Sequence, residues 1–240
     1  MKNFYNSWKN KTEFEKSGIK TLELSKKLIL ERVPKKEIVS IYIKGSFMRR
    51  EMDKNSDVDM VVILKTTKHF SKIKKLDNWG KKCGLKPYPQ FIAYSIWELK
   101  TGKRVKKKVA NNHPSRIVKH LGEYKLIYGE DLTGEDFFMR SDKEDLEKMV
   151  EVFTENWIPL YKEDKFDFNM ILKQTFWLVE NAERASGRNP PHSWKKLKDS
   201  IEDKNHIIYD AWNLRESRIK DKKIRSEYIK KLKGYLGELK

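Results

Sequence analysis

"IYIKGSFMRREMDKNSDVDMVVIL", residues 41–64, decides the fold. Two β-branched apolar runs flank a polar turn. The first run ends at Lys44, where Gly45-Ser46 follows; the second, from Asp57 to Leu64, carries two carboxylates. Residues two apart on a strand point to the same face, so Asp57 and Asp59 are expected to project side by side. Val58, Met60 and Val62 then face the other way, into a core. Two carboxylates that close resist joint ionisation. A divalent cation between them removes the conflict. Mg2+ suits the place, because it takes carboxylate oxygens and keeps positions for water and phosphate. At the end of the first strand, Gly45 lets a phosphate approach the backbone, and the Ser46 hydroxyl and nearby N–H groups can hold its oxygens. A metal beside a phosphate cradle is the apparatus of phosphoryl or nucleotidyl transfer.

Outward from this stretch the pattern changes once. Thr12 to Arg32 places Phe14, Ile19, Leu22, Leu24, Leu28 and Ile29 at helical spacing, and Pro34 follows it. Ile38 to Lys44 and Asp57 to Leu64 read as strands, Phe70 to Cys83 as a helix stopped by Gly84, and Phe91 to Ser95 as a shorter strand. Ser95 then caps the helix that begins "IWELK". From Ser141 onward every apolar period is helical: Asp142 to Lys162, Phe166 to Ser186, Ser193 to Lys204, His206 to Lys220 and Asp221 to Lys240. The expected fold class is therefore α+β. A small mixed-sheet domain over residues 1–140 precedes an all-α bundle over residues 141–240. In that second part Trp177, Leu178 and Trp194 are expected in the core, and His192 is expected to cap a helix.

Composition narrows the function classes. The 240 residues carry a formal net charge of +18. The segment 65–125 holds much of that excess, since Asp77, Glu98 and Glu123 are its only acids. Such a field attracts polyanions, either nucleic acid or a nucleoside triphosphate. Within it, Lys103, Arg104, Lys106, Lys107 and Lys108 are expected to flank the cleft. A single cysteine, Cys83, excludes an internal disulfide framework. No apolar run reaches the roughly 20 residues of a membrane span, and the N-terminal stretch has no uninterrupted apolar core. A cytoplasmic protein with no membrane partner is the expectation.

The spacing Gly-Ser, ten residues, Asp-x-Asp, with "SDVDMVVIL" as its second strand, resembles the polymerase-beta-type nucleotidyltransferase superfamily. The likeness is to its small archaeal and bacterial members and its antibiotic adenylyltransferases. The resemblance implies that Gly45 and Ser46 hold the triphosphate and that Asp57 and Asp59 ligate two Mg2+ ions. Lys44, Arg49 and Arg50 lie close in sequence as phosphate-neutralising candidates. Many members carry a third acid on a neighbouring strand. Here that strand reads "PQFIAYS" and the matching position is Gln90, which cannot act as a general base. Glu180 and Glu183 of the helical part are alternative sources of a base.

Two function classes follow. The first is an enzyme that moves a nucleoside monophosphate, AMP, from an NTP, ATP, to a hydroxyl on a protein, an RNA or a small molecule. The second is a catalytically weakened module of the same fold that binds RNA or a partner protein through its basic face. In either case residues 65–125 are the expected contact for RNA or an acidic protein.

Overall fold

β1 (Ile38–Lys44) and β2 (Val58–Leu64) are antiparallel neighbours, with Ile41 opposite Val62 and Ile43 opposite Met60. The computed structural model describes residues 4–53, 56–105 and 113–239. Two compact units divide the chain, Met1–Met139 and Arg140–Lys240.

In the first unit α1 (Glu13–Arg32) starts with a capping box: the Thr12 hydroxyl accepts from the Glu15 N–H, and the Glu15 carboxylate accepts from the Thr12 N–H. β1 follows, then α2 (Gly45–Arg49), a single helical turn where the sequence suggested only a polar connection. Arg50, at φ 59°, closes it in the left-handed conformation. After β2 come α3 (Phe70–Lys82), β3 (Pro89–Ser95), α4 (Ile96–Thr101), α5 (Pro114–Lys119) and β4 (Lys125–Gly129). The sheet order is β3-β2-β1-β4; β2 and β3 run parallel, and β1 is antiparallel to both its neighbours. This is the mixed sheet the alternating pattern implied.

Both sheet faces are covered, which is why β2 reads as almost unbroken apolar sequence. Val58, Met60, Val62 and Leu64 join the core containing Leu22 and Ile29 of α1 and Ile73 and Leu76 of α3. Val61 and Ile63 point the other way, toward Tyr94, Leu99, Ile117 and Leu121. Asp59 shares the phase of Val61 and Ile63. The strand does not reach Asp57. It begins at Val58, whose N–H donates to the Tyr88 carbonyl at 2.8 Å, and Asp57 is the last residue of the preceding connection.

The second unit is helical throughout its described residues. α6 (Asp142–Val152) passes into a wider π turn, Phe153–Trp157, and then α7 (Ile158–Lys162). Pro159 accounts for the change of pitch: it has no N–H to give the carbonyl four residues back, and its ring crowds that carbonyl. α8 (Phe168–Ala185), α9 (Trp194–Ser200), α10 (Ile207–Ser217) and α11 (Lys222–Glu238) complete the unit. α8 is its axis, packing on α6 and α10 and burying Ile171, Leu172, Phe176 and Leu178. Trp194 stacks on Phe176 with centroids 5.0 Å apart and carries the Arg215 guanidinium over its ring. It is half-buried and packs against the core, and Leu178 lies inside it; Trp177, also half-buried, is not part of that core, which corrects the expectation for it. His192 is not a cap; Ser193 is the N-cap of α9, and the His192 imidazole meets the buried Glu180 carboxylate at 3.0 Å. Among the described residues no helix is long and apolar enough to cross a membrane.

Candidate active site

The edge of the sheet where β1 ends and β2 begins gathers the residues singled out by sequence. Register sets Lys44 opposite Asp59, and Asp59 beside Gln90 on the parallel strand β3. The Lys44 ammonium lies 3.7 Å from Asp59 Oδ1, with both side chains about four-fifths shielded from solvent. Gln90 Nε2 donates to Asp57 Oδ2. Gln90 is therefore tied to Asp57 by a hydrogen bond and to Asp59 by strand register, although only Asp59 belongs to the strand.

Gly45 makes this approach possible. Its φ is +79°, and a Cβ there would stand 2.5 Å from Asp59 Oδ2. Any side chain would meet both a left-handed backbone and a carboxylate. Ser46 follows at the start of α2, half-buried, its carbonyl taken by the Glu51 N–H at 2.9 Å.

The donor chemistry fits Mg2+. Asp57 and Asp59 offer hard carboxylate oxygens, the donor type Mg2+ takes, and they are paired here with the Lys44 ammonium (Asp59) and the Gln90 amide (Asp57). Gln90 is two-sided: rotated about its amide it offers a carbonyl oxygen in place of its N–H.

Two nearby arginines turn elsewhere. Arg49 donates from Nε to Glu51 Oε2 at 2.8 Å. Arg50 makes a fork onto Glu15, at 2.7 and 3.1 Å, donates to the Lys9 carbonyl at 3.0 Å and stacks over Trp8. Glu15 is buried, and the Arg50 guanidinium holds its carboxyl below the usual carboxylate range. This clamp between α1 and the end of α2 fixes the turn carrying Gly45 and Ser46. Sequence reading missed it, because Glu15 is legible there only as a capping-box residue.

The basic run divides. Lys103 is exposed, but the Arg104 side chain is only 12% exposed: it lies over the Tyr94 ring at 4.4 Å, donates to the Ala93 carbonyl at 3.2 Å and sits 3.6 Å from Glu98. Its place is structural, which corrects the expectation that it faces a polyanion. Lys106, Lys107 and Lys108 lie outside the described residues. Glu98 does cap its helix, in a reciprocal box with Ser95, yet it is fully buried and also accepts from the Val105 N–H at 3.0 Å. In the helical unit Glu180 is engaged by His192 and Arg184, and Glu183 by a two-point contact with Arg188.

Residues 26–115, from the middle of α1 through the start of α5, match the family model of the nucleotidyltransferase domain. That stretch of the α/β unit is recognised by the match as a nucleotidyltransferase domain. The match spans the Gly45 turn, both carboxylates and Gln90. No curated protein matches the chain by sequence. Among solved structures, the chain is similar to spectinomycin adenyltransferase from Enterococcus faecialis, crystallised with ATP and spectinomycin. The identity is 13%, the TM-score 0.54, and the match covers 92% of this chain and 98% of that one. A protein from Sulfolobus solfataricus assigned as a nucleotidyltransferase aligns at 18% identity over 55% of this chain and 100% of its own, with a TM-score of 0.30. The likeness to the adenyltransferase extends beyond the nucleotidyltransferase domain into the helical unit, so the two-part α+β architecture is common to both folds.

Proposed function

We propose that the protein is a Mg2+-dependent nucleotidyltransferase that moves AMP from ATP to an acceptor oxygen, releasing pyrophosphate. The observation that carries this reading is the meeting of Asp57, Asp59 and the Gly45-Ser46 turn at one sheet edge. Gly45 and Ser46 hold the triphosphate, with Lys44 as a neutralising cation and Arg49, which must leave Glu51 to reach it, as a second. Asp57 and Asp59 hold the metal, two ions in the full complex. Bound there, Mg2+ supplies positive charge against the charge that builds on the phosphate oxygens during transfer. The protein's own part is orientation. β1 and β2 hold Lys44 and Asp59 in register, and the Glu15–Arg50 clamp fixes the turn that meets the phosphates. The spectinomycin adenyltransferase, solved with ATP and spectinomycin, supports ATP as donor and a small molecule as one acceptor class; an RNA or acidic protein engaging the basic segment 65–125 is the other. A cytoplasmic location is part of the proposal.

Gln90 favours a second reading, the catalytically weakened module that binds a polyanion without transfer. ATP binding measured by equilibrium dialysis with and without Mg2+ separates the two. Metal-dependent binding together with covalent transfer of label from the α-phosphate supports the enzyme. Metal-independent, salt-sensitive binding of RNA with no transfer supports the module.

A further inference from the structure

We infer that the acceptor attacks as a ready-made oxyanion, a phosphate monoester, rather than as a neutral alcohol. The inference rests on the transferase reading above and narrows its acceptor.

A neutral hydroxyl must lose its proton as it attacks phosphorus. A positioned base that takes it contributes about 100-fold to 10,000-fold in rate. The position on β3 in register with Asp59, in hydrogen-bond contact with Asp57, is where a carboxylate would have both the address and the company to do this. It is occupied by Gln90, whose amide has no basic site at neutral pH. Gln90 also spends its N–H on Asp57. Among the described residues flanking these strands, Glu51 is engaged by Arg49, Asp53 by the Ser56 hydroxyl at 3.1 Å, and Glu98 by the Ser95 cap, Val105 and Arg104. The two acids of the helical unit that sequence offered as bases are likewise engaged, Glu180 with His192 and Arg184, Glu183 with Arg188.

A phosphate monoester removes the need. Its oxyanion attacks the α-phosphorus of ATP. The new P–O bond forms as the bond from that phosphorus to the oxygen bridging to the β-phosphate breaks, and pyrophosphate leaves with the electron pair. No proton leaves the attacking oxygen, and the product is a phosphoanhydride of AMP. The charge of the chain points the same way. A field of +18, drawn largely from residues 65–125, raises the local concentration of a dianionic acceptor and gives a neutral alcohol nothing.

The test uses the full chain, Mg2+, ATP and two minimal acceptors, inorganic phosphate and glycerol. Attack by radiolabelled inorganic phosphate at the α-phosphorus places label in the β-position of ADP, which ordinary ATP hydrolysis cannot do. Attack by glycerol gives glyceryl-AMP. Mg-ATP binding is measured alongside by equilibrium dialysis. The expected result is phosphate transfer faster than glycerol transfer by at least about tenfold, with Gln90→Glu raising the glycerol rate by about 100-fold. Equal or faster glycerol transfer by the unmodified chain overturns the inference and leaves the transferase standing. Mg-ATP binding with label in neither product also overturns it. Loss of Mg-ATP binding altogether removes the transferase reading and the inference with it.

Discussion

Gly45 and Asp59 are in contact across the strand ends: a Cβ on Gly45 would fall 2.5 Å from Asp59 Oδ2, at a backbone φ of +79°. Gly45→Ala must therefore both adopt an unfavourable conformation and push the carboxylate aside. The expected outcome is a stability loss of about 1–2 kcal/mol and a marked loss of Mg-ATP affinity, read by denaturation and equilibrium dialysis. Gly187 is the control. Its φ is +82° but nothing lies within 4 Å of its added Cβ, so Gly187→Ala should lose a similar amount of stability and no affinity.

Asp57→Asn and Asp59→Asn should each lower Mg2+-dependent ATP binding by at least about 100-fold, beyond the loss usual for residues that only support a metal ligand. Neither should unfold the protein, since both side chains sit at the strand end, outside the buried hydrophobic cores. Circular dichroism and thermal melts check the fold. Variants that unfold, with residual protein still binding Mg-ATP, would make the two acids structural.

Glu15→Gln should cost about 2 kcal/mol at neutral pH, because it weakens both the capping box and the Arg50 fork. The partial exposure of Arg50 keeps the figure modest. The sign with pH follows from the lowered carboxyl of Glu15. Its contribution is fully present above the unfolded value of 4.5 and is lost as pH falls through the folded one, so the difference between wild type and variant should shrink in acid.

His206 caps α10 by accepting the Ile208 N–H on Nδ1 at 3.2 Å, and burial holds its imidazole below the usual range. A protonated Nδ1 cannot accept. The stabilisation is complete above the unfolded value of 6.5 and fades as pH falls through the folded one. Urea midpoints should drop over that range in the wild type. His206→Asn, which caps without titrating, should flatten the drop.

Arg104→Ala should destabilise by about 2 kcal/mol, since it removes a charge-assisted partner from the buried Glu98 and a cation from the Tyr94 face. It should leave the salt dependence of polyanion binding unchanged. Lys103→Ala should show no stability loss, and if residues 103–108 hold a polyanion it should reduce the salt slope by about one.

The long elements, α1, β1, β2, α3 and the helices of the second unit, were legible because local pattern and tertiary environment agree over long runs; the short α2, α5 and β4 were not. Ile38–Lys44 was read to the residue. The boundary at Asp57 was not, because one carboxylate more or less at a strand end does not change the alternation; the hydrogen bond from the Val58 N–H to the carbonyl of Tyr88, just before β3, sets it. The basic run misled because charge counts do not say which side chain folds inward. Arg104 does so because Tyr94, Ala93 and Glu98 offer it a ring, a carbonyl and a carboxylate.

By itself the sequence determined the α+β order, the two β-strands that meet at Gly45-Ser46 and Asp57-x-Asp59, and the absence of an acid at Gln90, since each is written in residues close together along the chain. Only the tertiary structure decided that Gln90 holds Asp57, that Gly45 leaves room for Asp59, and that Glu15 reaches Arg50 across 35 residues. Those contacts depend on strand register and on buried charges finding partners, and neither follows from local spacing.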